Sequence, residues 1–162
     1  MMDRDLKRAR TFLSAKGFQY EPILGNHEIV DPSRDFMAYH EGVACFKGTV
    51  LSIGNEQARD GAPVKVVSDP EDNDRHRRQL ARQLRKAVQC LDKAADVDLP
   101  IVAIIANHEP SIDFEALSLV VGNASSERGL SAIQLFIWFD DFRSDKMLMH
   151  RSDSKVCRMM CS

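Results

Sequence analysis

The sequence predicts an α/β fold, with a mixed central β-sheet flanked by helices. Three stretches carry that expectation. "PIVAIIA" (Pro100 to Ala106) is a wholly apolar, β-branched run, the pattern of a strand covered on both faces. "AIQLFIWFD" (Ala132 to Asp140) repeats the pattern. Upstream of both, Leu80, Leu84, Ala87, Val88 and Leu91 recur at helical spacing and make one narrow apolar face.

The remaining elements follow in order. A first helix is expected from Leu6 to Lys16, with Asp3 as its cap and Gly17 as its stop; Leu6, Ala9, Phe12 and Leu13 share one face. Phe18 to Val30, broken by Pro22 and Gly25, reads as extended and irregular. Phe36 to Tyr39 and Gly42 to Lys47 form a hairpin turning at His40-Glu41-Gly42, and Thr49 to Ile53 continues it. Asn55 to Asp74 reads as a surface loop with a short strand at Val64 to Val67, and Asp72 or Asp74 caps the long helix. Asp113 caps a helix from Phe114 to Val121, and Lys146 to Met149 makes a last short strand.

A chain of 162 residues, 44% apolar and 28% charged, is long enough to bury one core and has an ordinary globular composition. Residues 1–150 read as a single α/β domain and residues 151–162 as a loosely ordered tail. No apolar run approaches the roughly 20 residues that span a bilayer. The opening "MMDRDLKRAR" is charged with no apolar segment behind it, so a cytoplasmic location is expected rather than a secreted one. Cys45, Cys90, Cys157 and Cys161 are then expected as reduced thiols. Cys157 and Cys161 would share a helical face, yet zinc needs two further ligands that His150 alone does not supply.

The net charge of −2 gives no global attraction to nucleic acid, so any such attraction must be local. Arg75, Arg78, Arg82, Arg85 and Lys86 form a stripe opposite the leucines of the long helix, suited to following a phosphate backbone. No aromatic side chains interleave with them, so single-strand stacking gains no support. Two "NHE" triplets invite a metallophosphoesterase reading. The one at Asn26 to Glu28 lacks the other ligands such a centre needs, and the one at Asn107 to Glu109 reads as a strand-to-helix turn. Cys45 with a histidine would make a thiol–imidazole pair, but an alternating strand is a poor place to expose a nucleophile.

The stretch "DPSRDFMAYHEGVACFKG" (Asp31 to Gly48) sets an aspartate at the head of one hairpin strand and a lysine at the end of the next. With the upstream helix, the long helix carrying "RQLARQLRKAVQCL" and the strand "PIVAIIAN", it resembles the PD-(D/E)xK, or restriction-endonuclease-like, superfamily over residues 1–110. That resemblance implies a restriction-endonuclease-like core and two carboxylates binding Mg²⁺ beside a lysine that positions water or stabilises charge.

Carried over residue by residue, Asp35 is the first acid and Lys47 the lysine, while Gln83 (or Gln79) takes the place of a helix glutamine near the site. Cys45 stands where the second acid belongs, and a thiolate is a poor ligand for a hard cation. Glu28 is the expected replacement, with Asp35 the other metal ligand; Glu21 and Asp31 are further donors, and Glu41 lies at the far end of the hairpin. By the two-residue period, positions 45 and 47 point to one side of the strand. The resemblance thus implies a nuclease-like protein hydrolysing DNA phosphodiesters with Mg²⁺. The alternative is a non-catalytic relative acting as a nucleic-acid- or protein-binding module, with a homodimer or another protein as partner.

Overall fold

The computed structural model describes residues 4–23, 34–54, 77–78, 80–86, 88–89, 91, 99–110, 112–123, 133–150 and 155–161. Helix α1 (Arg4–Ala15) is followed by strands β1 (Gln19–Pro22), β2 (Asp35–His40) and β3 (Val43–Ile53). Helix α2 occupies the described helical positions within 77–91. Then come β4 (Ile101–Asn107), α3 (Phe114–Asn123), β5 (Ile133–Asp140), β6 (Lys146–Met149) and α4 (Lys155–Cys161).

The six strands form one sheet in the order β1-β2-β3-β4-β5-β6. β1, β2 and β3 are antiparallel, β3, β4 and β5 run parallel, and β6 returns antiparallel to β5. Where β2 turns into β3, Glu41 and Gly42 both have positive φ, 53° and 80°. That pair of conformations matches the right-handed twist of a two-residue hairpin, and glycine adopts it without a Cβ penalty.

Each face of the sheet carries its own apolar cluster. Leu6, Ala9 and Leu13 of α1 and Val156, Cys157 and Met160 of α4 cover Phe36, Phe46, Val102, Ile104 and Ile137. On the other face Leu80, Leu84, Val88 and Leu91 of α2, with Leu117 and Val121 of α3, cover Ile101, Ala103, Ile105 and Trp138. All seven residues of β4 are buried, as its unbroken apolar run requires. Asp113 caps α3 as expected, its Oδ1 accepting from the Ala116 N–H at 3.1 Å.

Three expectations need correction. Gln19–Pro22, read as irregular, is an edge strand of the sheet. Thr49 to Ile53 is no separate segment but the second half of an eleven-residue β3. Within the segment read as a loose tail, Lys155–Cys161 is helix α4, with Val156, Cys157 and Met160 buried. Its anchor is a strand irregularity. Ile101 pairs with Ile133 and Val102 with Leu135, so Gln134 is an extra residue whose carbonyl is released from the regular ladder. That oxygen accepts from the His150 N–H at 3.0 Å and from the Cys157 thiol at 3.5 Å. The strand expected at Val64 to Val67 lies outside the described residues.

Gly48 marks the tightest approach in the sheet. A Cβ there would sit 2.5 Å from Phe36 Cζ and 2.9 Å from the Val102 carbonyl oxygen. Overpacking of this kind costs about 1–3 kcal/mol. Gly48→Ala is therefore expected to lower the denaturant midpoint by that much, while Gly42→Ala, whose Cβ would meet nothing, is strained only by its φ. Equilibrium unfolding in urea checks both.

Candidate functional site

The hairpin brings Asp35 and Lys47 together. Asp35 pairs with Thr49 and Met37 with Lys47, so alternation along the strands sets Asp35, Lys47 and Thr49 on one face. Met37 packs in the cluster beneath α2 and α3, which identifies that face. All three polar residues are buried, Asp35 to 2% exposure and Lys47 to 4%. The Lys47 ammonium donates to the Leu91 carbonyl of α2 at 3.1 Å. The buried ammonium thereby gains a backbone carbonyl as hydrogen-bond partner. The lysine thus ties α2 to the sheet.

Cys45 does not share that face. Ala38 pairs with Phe46 and Tyr39 with Ala44, which leaves Cys45 as the extra residue of a β-bulge. The bulge resets the alternation, and Cys45 packs against the opposite cluster under α1. The expectation that 45 and 47 point the same way fails because the two-residue period holds only across an unbroken ladder. An acid at position 45 would not meet Asp35 and Lys47.

Of the other expected site residues, Gln83 is half-buried on α2 and Glu21 is exposed on β1, while Glu41 sits in the hairpin turn. Arg78, Arg82, Arg85 and Lys86 are exposed on the outer face of α2. Glu28, Asp31 and Arg75 lie outside the described residues, as does the side chain of Gln79. Among the described residues no group of three or more His, Cys, Asp or Glu side chains is placed to hold a metal ion. Of the two expected metal ligands only Asp35 is among the described residues, and no metal-assisted step follows from it alone.

A second polar cluster lies where the parallel strands end, the edge at which α/β sheets gather polar groups. His108, just past β4, is hydrogen-bonded at both ring nitrogens. Nε2 faces Asp5 Oδ2 of α1 at 2.8 Å, and Nδ1 faces Asp141 Oδ2 beyond β5 at 2.5 Å. The His108 and Asp5 side chains are 6% and 4% exposed and Asp141 is 29% exposed. The Ser52 hydroxyl of β3 donates to Asp5 Oδ2 and itself accepts from Arg34 at 3.0 Å. Arg8 of α1 pairs with Asp145 at 2.7 Å and approaches Asp141 at 3.6 Å.

Gly54, with φ of 93°, lets the chain pass His108 closely; a Cβ there would lie 2.9 Å from the His108 carbonyl carbon. Beside this cluster Asp140 accepts from the Trp138 indole at 3.0 Å, from the Phe142 N–H at 2.9 Å and from Arg143 at 3.3 Å. Burial alone would raise the Asp140 pKa, but those donors, with Asn107, hold it below the usual carboxylate value.

A carboxylate on each nitrogen favours the protonated ring of His108. Burial would lower its pKa, but its hydrogen bonds to Asp141 and Asp5, and the charges of those carboxylates, raise it above 6.5. Sequence reading missed this hub because "NHE" at Asn107 to Glu109 looks like a turn. Asn107 does serve the turn, accepting from the Glu109 N–H at 3.1 Å and donating to the Ile112 carbonyl at 2.7 Å. His108 beside it joins α1, β4 and the end of β5 as a structural clamp. Both of its nitrogens are taken, so it offers neither a free base nor a metal ligand.

The chain matches no family model, no curated protein and no solved structure.

A histidine whose folded pKa is raised stabilises the fold fully below its unfolded value near 6.5. That contribution is lost as pH climbs through the folded value. The unfolding free energy is expected to fall as pH rises above 6.5, and His108→Gln is expected to flatten this decline and lower stability at pH 6. Asp140 acts with opposite sign: its contribution is lost as pH falls through its depressed pKa, well below that range. Urea unfolding as a function of pH separates the two.

Proposed function

We propose that this chain is a nuclease-like scaffold that works as a nucleic-acid-binding module, with the outer face of α2 as its contact surface. One observation carries the reading. Leu80, Leu84, Val88 and Leu91 are buried, while Arg78, Arg82, Arg85 and Lys86 are exposed on the same helix. Residues 77–91 contain no acidic residue, so this face carries cations alone in a chain whose net charge is −2. Arginine and lysine side chains along a rigid helix can track phosphates without reading base sequence.

The scaffold half of the proposal draws on element order: a helix, an antiparallel hairpin, a long helix and a buried parallel strand, as the restriction-endonuclease-like resemblance implies. The non-catalytic half draws on Lys47, which is buried against the Leu91 carbonyl, and on Cys45, which packs beneath the other helical layer. A second reading, Mg²⁺-dependent hydrolysis, keeps one supporting observation: Asp35 and Lys47 do share a face.

Fluorescence anisotropy with a labelled DNA duplex tests the proposal. Arg82→Glu with Arg85→Glu is expected to weaken binding at least ~10-fold, equally for unrelated sequences, and to reduce the salt slope by about two. Unchanged affinity would sink it. Incubating supercoiled and single-stranded DNA with Mg²⁺ or Mn²⁺ is expected to give no cleavage. Metal-dependent nicking lost in both Asp35→Ala and Lys47→Ala would establish the hydrolytic reading instead.

A further inference from the structure

The side of the sheet away from α2 carries its own concentration of positive charge. On α1, Arg4, Lys7 and Arg10 are exposed at three-residue spacing, and Thr11, Ser14 and Ala15 complete the outward face. The only acid in the helix is Asp5, which is turned inward onto His108. On α4, which covers the same apolar cluster, Lys155 and Arg158 are exposed and residues 155–161 include no acid. The clamp at His108 thus turns the acid of α1 away from this surface, while Asp141 and Asp145 meet the helix only at Arg8.

A groove of about 710 Å³ continues the outward face of α1 down to β1, lined by Arg10, Thr11, Ser14, Phe18, Gln19 and Tyr20. Guanidinium, hydroxyl and amide groups are the side chains that contact nucleic-acid phosphates and sugars. Tyr20 is no stacking platform, because Phe36 lies against its ring at 4.4 Å and the Arg10 guanidinium covers it at 5.3 Å. Its hydroxyl remains protonated at every physiological pH: burial and Asp35 push its pKa up to about 12, against the opposing pull of Arg10. A backbone contact fits such a surface better than base recognition. An anionic bilayer fits it less well, since the outward face of α1 presents no large apolar side chain to insert.

We infer that the outer face of α1, with its groove and with the cations of α4 on the same side of the sheet, is a second phosphate-backbone surface for duplex nucleic acid. It faces away from α2, so the protein joins two duplex segments. The choice of duplex rests on the reading proposed for α2, but the surface itself does not.

Energy transfer between a donor-labelled and an acceptor-labelled DNA duplex mixed with the full chain tests this. Wild type is expected to bring the duplexes together. Lys7→Glu with Arg10→Glu is expected to abolish transfer while leaving anisotropy binding through α2. The neutral pair Lys7→Gln with Arg10→Gln should give an intermediate loss, and it stands in if charge reversal disturbs folding by circular dichroism. Transfer unchanged in both α1 variants, or no transfer with wild type despite binding, overturns the inference while the α2 proposal stands. If Arg82→Glu with Arg85→Glu leaves binding intact but the α1 pair removes it, the α2 proposal fails and the α1 surface holds. Equal loss of binding by the α1 pair to phosphatidylserine vesicles, with none to DNA, reassigns the surface to membranes and overturns the inference.

Discussion

β4 can hold no charge along its length, and the placement of polar groups elsewhere follows from that. Its seven residues are buried on both faces between two helical layers, where an unpaired charge would be prohibitively costly. Polar side chains therefore collect at its two ends. At its start Lys47 pairs in register with Ile101 and reaches the Leu91 carbonyl of α2. At its finish Asn107 organises the next turn and His108 binds carboxylates from α1 and from beyond β5. β4 is dry between two polar rims, and each rim attaches a helix from a different layer.

The two rims use electrostatics differently. At the first, a buried ammonium satisfies a helix carbonyl without an opposing carboxylate in that bond. At the second, donating to both carboxylates takes a proton on each ring nitrogen, so the state of the clamp depends on the protonation of His108. Asp5 is the more buried acid, with the Ser52 hydroxyl as a further donor, whereas Asp141 is closer to water and to Arg8.

Much of the fold was legible because it is written in local periodicity. The apolar run of β4, the leucine face of α2, the cap at Asp113 and the Glu41-Gly42 turn all emerge from neighbours in sequence. The bulge at Cys45 was not legible, since an inserted residue looks like any other in an alternating strand until its partner is known. Helix α4 was obscure for another reason: seven residues are too few to fold on propensity, and its order comes from packing under the sheet. His108 depended on partners 103 and 33 residues distant, a separation no spacing rule spans. Of the candidate site, the pairing of Asp35 with Lys47 on one face was readable, while their burial beneath α2 was not.

Among the described residues the sheet ends in β1 and β6, and sheet edges invite self-association. On β1 the Ile23 N–H bonds inward to the Asp35 carbonyl, so by alternation the nitrogens of Tyr20 and Pro22 point outward. Proline has no hydrogen there to offer an incoming strand. At the opposite edge β6 is only four residues long and opens with an exposed lysine. A growing fibril would meet a missing donor on one side and a short, charged strand on the other. Pro22, which interrupts the sequence pattern of its strand, thereby protects the chain against aggregation.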